Sequence, residues 1–129
     1  MANKIAVVSA SDSYQTVKVL AEVGAKVKGT PQLLNGKVVF PFDNYVDGDD
    51  HLYVYKAERC EVTAQGANTE IASVNFALFD KIYWDNAASK FTNIAAGNTL
   101  CGRCLVAVNY AGGVVAGNTL LIEFSPDVV

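Results

Sequence analysis

Apolar and polar residues alternate most regularly in the second half of the chain. Ile82 and Trp84 are set between Lys81, Tyr83 and Asp85, the period-two signature of a half-buried strand. Asp85 to Ser89 reads as a turn, and Phe91 to Ile94 as a short return strand. After Gly97-Asn98, the run from Leu100 to Tyr110 predicts one longer strand. Ala111-Gly112-Gly113 then turns the chain, Leu120, Ile122 and Phe124 line one face of a last strand, and Pro126 ends the pairing. Ala-Gly-Asn-Thr-Leu occurs at 96–100 and again at 116–120, each time just before a strand. This is the same turn chemistry used twice, since Gly and Asn tolerate left-handed backbone.

In the first half, Lys37 to Phe40, Leu52 to Tyr55 and Arg59 to Thr63 predict three strands, separated by Asn35-Gly36 and by the acidic turn Asp47 to Asp50. Asp12 to Gly24 has two readings. As a helix, Asp12 with Gln15 imitates a capping box, Tyr14, Val17, Leu20 and Ala21 share a face, and Gly24 takes the C′ position. As a strand, which we prefer, Val17, Val19 and Ala21 share a face. Strands and turns at spacings near ten residues predict a mainly β chain. The expectation is a small β-barrel or β-sandwich forming one domain over residues 1–129, with residues 1–13 as an extended N-terminal arm and at most one short helix.

Composition adds a partner. Of 129 residues, 51% are apolar and only 18% charged, which is too hydrophobic for disorder and lightly charged for a fully solvated surface. Part of the surface is therefore expected to face another protein. The net charge of −3, with basic residues scattered, argues against direct nucleic-acid binding through a basic patch. The N-terminal apolar run is too short for a signal peptide, and no segment reaches the roughly 20 apolar residues of a membrane span. A cytoplasmically made chain with reduced Cys60, Cys101 and Cys104 is expected, with no membrane partner.

Candidate chemistry is weak throughout. Lys4 to Ala10 followed by Gly24-Ala-Lys-Val imitates a dinucleotide-binding start, but the turn at residues 9–13 has no glycine to admit a pyrophosphate. Cys101-Gly-Arg-Cys104 has redox and zinc spacing. Within a strand, however, residues three apart point to opposite faces and lie roughly 10 Å apart, so two buried thiols are expected instead. The loop from Asp43 to His51 hints at calcium but places Tyr45 and Val54 where an EF-hand needs oxygen ligands. His51 is the only histidine, so any triad would run through it, and no serine sits in a nucleophile elbow. No catalytic residue, cofactor or metal site is expected. Trp84 with Ile82 reads as core, and Tyr45, Tyr53 and Tyr55 as candidates for an interface.

The ordered run Asp80-Lys-Ile-Tyr-Trp-Asp-Asn86, Lys90-Phe91-Thr92, Ala96-Gly-Asn-Thr-Leu-Cys-Gly102 resembles the C-terminal half of the tailed-phage capsid cement, or head decoration, proteins. In that family a Leu/Val-Tyr-Trp-Asp strand is followed by a Thr-rich return, a Thr-Gly-Asn-Thr-Leu-Ile-Gly turn and a closing strand, here Leu120 to Phe124. Tyr83, Trp84, Asp85, Gly97, Asn98, Thr99 and Gly102 are the motif's structural residues. The first 75 residues depart from the pattern and lack its early Pro-Gly-Asp.

The resemblance implies a non-enzymatic virion protein on the outer surface of an expanded head, made in a bacterial cytoplasm. It would bridge major capsid subunits, stabilise the shell against internal DNA pressure, and associate with itself as a homotrimer or dimer. An N-terminal arm in such proteins adds a strand to a capsid sheet, which makes Lys4, Ile5, Ala6, Val7 and Val8 the expected capsid-binding segment. The competing expectation is a small α/β ligand-binding protein or a redox protein using the CxxC.

Overall fold

The computed structural model describes residues 5–7, 14–64, 71, 75–110 and 113–126. The chain is mainly β, with a curled, half-barrel sheet and no helix among the described residues. Its strands are β1 (Ile5–Val7), β2 (Tyr14–Val19), β3 (Gln32–Leu34), β4 (Lys37–Pro41), β5 (His51–Thr63), β6 (Asn75–Phe76), β7 (Lys81–Asp85), β8 (Lys90–Thr92), β9 (Thr99–Cys104), β10 (Val108–Asn109) and β11 (Thr119–Phe124). One sheet takes the order β3-β4-β5-β11-β9-β7-β8, with β1 and β2 also on β5, and β6 pairs separately with β10.

The 13-residue β5 organises everything else. Cys60 is paired with Val7 on one side and Ile122 on the other, and Val54 with Thr16 and Phe40. β1 and β2 therefore run in tandem along one edge of β5, while β11 and β4 share the other. The two strands expected from Leu52 to Tyr55 and Arg59 to Thr63 are thus one, because nothing in Lys56-Ala57-Glu58 breaks the chain and Ala57 is buried. Register shifts on both sides of Ala57 insert extra β5 residues, and such bulges bend a strand and increase its twist. The sheet curls around this bend until Phe40 of β4 meets Phe124 of β11, ring centroids 5.2 Å apart.

The 12–24 ambiguity resolves as the strand β2, followed by a turn at Ala21. The long strand expected from Leu100 to Tyr110 is instead two. β7 begins only at Lys81, so past Cys104 the chain has no strand partner on that side. It bends away, and Val108–Asn109 pairs with β6. Asn35 (φ 49°) and Gly36 (φ 82°) both take positive φ in the two-residue β3–β4 hairpin, as a type I′ turn requires.

Candidate functional site

The motif residues form a framework. Tyr83, Trp84 and Asp85 lie on β7, and Trp84 is buried against Phe91 of β8 at 4.8 Å, its indole Nε1–H donating to Asn86 Oδ1 (3.1 Å). Asp85 Oδ1 accepts the N–H groups of Ala87 (3.1 Å) and Ala88 (3.0 Å), which builds the β7–β8 turn. Gly97 takes φ 75° in a turn closed from Asn98 N–H to the Ala95 carbonyl (3.0 Å), and Thr99 pairs with Trp84. The second Ala-Gly-Asn-Thr-Leu repeats that turn, with Gly117 at φ 92° and Asn118 N–H on the Val115 carbonyl (3.1 Å). Gly102 faces the Glu123 carbonyl so closely that a Cβ would sit 1.8 Å from its oxygen. Trp84, Asp85, Gly97, Asn98 and Gly102 thus serve packing and turns.

The thiols are core. Cys60, Cys101 and Cys104 are free and fully buried. The register shift opposite Ile82/Tyr83 leaves Cys101 without a β7 partner and interrupts the alternation of β9. Cys101 therefore joins Cys104 in one core, in place of the expected opposite-face arrangement. Burial, then the neighbouring Cys60, pushes the Cys101 thiol far above the ordinary thiol range, and it donates to the Ile82 carbonyl (3.3 Å). Burial also raises Cys104.

Of the expected capsid-binding segment, Ile5, Ala6 and Val7 form β1, while Lys4 and Val8 lie outside the described residues. Ile5 is buried, is paired with Val62, and donates its N–H to the Gly29 carbonyl (3.1 Å); Ala6 and Val7 are half-buried. The described part of the arm is thus built into the domain's own sheet.

The surface that stands out is elsewhere, on loops 20–30 and 42–50. Their backbones are tied together from Glu22 N–H to the Asp49 carbonyl (3.0 Å), from Gly48 N–H to the Glu22 carbonyl (2.8 Å), and by reciprocal bonds between Lys26 and Tyr45 (2.9 and 3.0 Å). The polar side chains that hinted at calcium are used here. Asp47 Oδ1 accepts Gly24 N–H (2.6 Å), Asp50 Oδ1 accepts Ala21 N–H (2.9 Å), and Asn44 Oδ1 accepts Lys28 N–H (2.9 Å). Among the described residues no cluster of three or more His, Cys, Asp or Glu side chains could hold a metal.

Beneath these loops lies a buried polar cluster. His51 is fully buried, with Nδ1 2.7 Å from the Glu22 carboxylate and Nε2 3.1 Å from the Val46 carbonyl, and Tyr45 stacks on its ring at 4.8 Å. The Tyr53 hydroxyl donates to the same Glu22 oxygen. Burial first, then that carboxylate, pushes it well above the ordinary tyrosine range. Both ring nitrogens of His51 are therefore engaged inside the protein. Tyr53, expected at an interface, is fully buried, while Tyr45 and Tyr55 are half-buried and the Tyr55 hydroxyl donates to Gln15 Oε1 (2.7 Å).

Resting on this base, Leu20, Val23 and Val46 are 71%, 84% and 63% exposed. Large apolar side chains on loops tied this firmly are a ready protein-contact surface, because little conformational freedom is lost when they are covered. The sequence pattern picked out Leu20 only on the helical face that the structure does not form, and Val23 and Val46 not at all; their one signal is aliphatic residues near turn glycines, at Val23-Gly24 and Val46-Asp-Gly48. Glu22 carried no local signal at all, since its partners lie about 30 residues away.

No known protein-family profile and no curated protein sequence matches the chain.

Proposed function

We propose that the protein is a phage capsid decoration protein. It binds the outer surface of the expanded head, bridges major capsid subunits and stabilises the shell against the pressure of packaged DNA. The observation that carries the reading is the pre-tied apolar tip of Leu20, Val23 and Val46, on a β domain whose 80–124 block resembles the cement proteins. The mechanism is linkage. A ligand that binds only the mature shell stabilises it by its binding free energy, about 2.7 kcal/mol per site at a free concentration 100 times Kd. Repeated over many copies, this outweighs a modest affinity at each. The partners are the major capsid protein and the protein itself, without direct contact to nucleic acid or membrane.

The competing expectations have weaker support. An α/β ligand-binding protein lacks its helices among the described residues, and a CxxC redox protein needs an accessible thiolate where burial favours the neutral thiol.

The test is co-sedimentation of the purified protein with expanded and unexpanded phage heads. Binding to expanded heads alone, abolished by Val23→Asp with Val46→Asp while the fold is kept, is the expected result. Equal binding to both forms, or none, overturns the proposal.

A further inference from the structure

Among the described residues, one turn departs from four others closed by the same hydrogen bond. Turns 27–30, 46–49, 95–98 and 115–118 are each closed by an N–H from the fourth residue to the carbonyl of the first, with Gly29, Gly48, Gly97 or Gly117 at positive φ in third place. Turn 77–80 is closed the same way, from Asp80 N–H to the Ala77 carbonyl (3.1 Å), but its third residue is Phe79 at φ 66°. Glycine is what a type II turn calls for there, and a bulky side chain in left-handed backbone is an outlier. The ring gains little burial in exchange, since Phe79 is 62% exposed, beside Leu78 at 53%. Phe79 N–H donates to the Cys104 carbonyl (2.8 Å) and Asp80 Oδ2 accepts Ala77 N–H (2.8 Å), so the turn is held firmly. A strained, exposed, well-anchored aromatic points to function.

The same chain carries a matching hollow. A groove of about 330 Å³ runs beside β1, lined by Ile5, Val7, Tyr14, Phe40, Pro41 and Phe42. A cavity of roughly 150 Å³ accommodates benzene, so this groove has room for both apolar side chains of the turn. Tyr14 and Phe42 stack at 5.8 Å and are each more than a third exposed, forming an aromatic wall for an incoming ring. Exposed Lys28 and Asp43 line it as well, one cation and one anion to meet Asp80 and Lys81, which follow Phe79. The turn and the groove share no residue.

We propose that copies of this chain associate head to tail, with the Leu78–Phe79 turn of one copy seated in the β1/β2/β4 groove of the next. Such a contact uses two different surfaces, so it closes into a ring or extends as an open chain rather than stopping at a symmetric dimer. This does not depend on the shell-binding reading and is tested on the protein alone.

Sedimentation velocity over a concentration series, on the full chain, is the measurement. Wild type is expected to associate. Phe79→Gly restores the residue type of the other four turns, so it should weaken association about 30-fold or more while its thermal midpoint, compared at a dilution where wild type is also monomeric, falls no lower than wild type. Loss of association then cannot be ascribed to unfolding. Phe42→Asp should likewise give monomers. An equal mixture of the two variants keeps one intact turn and one intact groove, and should form a dimer that grows no further. A monomeric wild type, a Phe79→Gly protein that associates like wild type, or a mixture that stays monomeric would each overturn the proposal.

Discussion

Gly102→Ala should remove much of this protein's stability, although Gly102 has no unusual backbone angle to defend. A Cβ built there falls 1.8 Å from the Glu123 carbonyl oxygen, 2.9 Å from its carbon and 3.3 Å from Phe124 Cα. All three are backbone atoms of β11, so no rotamer change relieves the clash. A tolerable C···O contact is about 3.3 Å, so β9 and β11 must separate by roughly 1.5 Å at the pairs Gly102–Phe124 and Arg103–Glu123. Losing two ladder hydrogen bonds costs about 1 kcal/mol each, and more where the groups stay buried and unpaired. Displacing Phe124 from Phe40 adds an overpacking cost of about 1–3 kcal/mol. The total is about 3–5 kcal/mol, against roughly 6–19 kcal/mol for a chain of this length.

Urea unfolding followed by Trp84 fluorescence measures it. With a slope of about 2 kcal/mol/M, the midpoint should fall by about 1.5–2.5 M. Gly97→Ala is the control: nothing lies within 4 Å of its Cβ, and φ 75° leaves only the left-handed backbone cost of about 1–2 kcal/mol. If Gly102→Ala moves the midpoint no further than Gly97→Ala, the close approach is not what selects glycine at that position.

Three further outcomes follow from the interior. Native protein should show no thiol reactive toward a water-soluble disulfide reagent, and three once denatured; any reactive native thiol would contradict the burial of Cys60, Cys101 and Cys104. Tyr53 is held neutral by the fold, so its contribution to stability is complete below the ordinary tyrosine pKa of about 10 and is lost as pH rises above it. In an absorbance titration, Tyr53→Phe should accordingly remove a step that otherwise coincides with alkaline unfolding; an unchanged titration would refute this. Asp47→Ala should speed hydrogen exchange at the Gly24 amide several-fold and leave the β9 amides unchanged, whereas an unaffected Gly24 would mean that Asp47 does not tie the tip.

Local rules carried the sequence reading wherever one strand neighbour or one turn decides the structure. Alternation located β7 and β11, Asn35-Gly36 was read as a strand boundary though the strand before it was not foreseen, and the two Ala-Gly-Asn-Thr-Leu stretches became the same turn twice. What escaped depends on residues far apart in the chain. β5 is one strand because four others pair along its two edges, and no window around Lys56 reports that. Both thiols are in one core because of a bulge set by the pairing of β9 with β7. The expected arm lies in the sheet because Ile5 finds Val62 and Gly29, 57 and 24 positions away.

The candidate surfaces share a different property: they are where local consistency fails. The 80–124 block obeys strand and turn chemistry almost everywhere, as a scaffold under selection to fold should. Turn 77–80 puts a largely exposed phenylalanine where four similarly closed turns have glycine, and loops 20–30 and 42–50 use several polar anchors to hold aliphatic side chains in water. Neither arrangement improves the isolated molecule, since the first strains the backbone and the second leaves apolar area hydrated. Both become favourable once the exposed groups are covered. That this turn adjoins the start of β7 also separates two roles along the same stretch. Tyr83, Trp84 and Asp85 build the platform, and Leu78 and Phe79, just before it, are the side chains it presents.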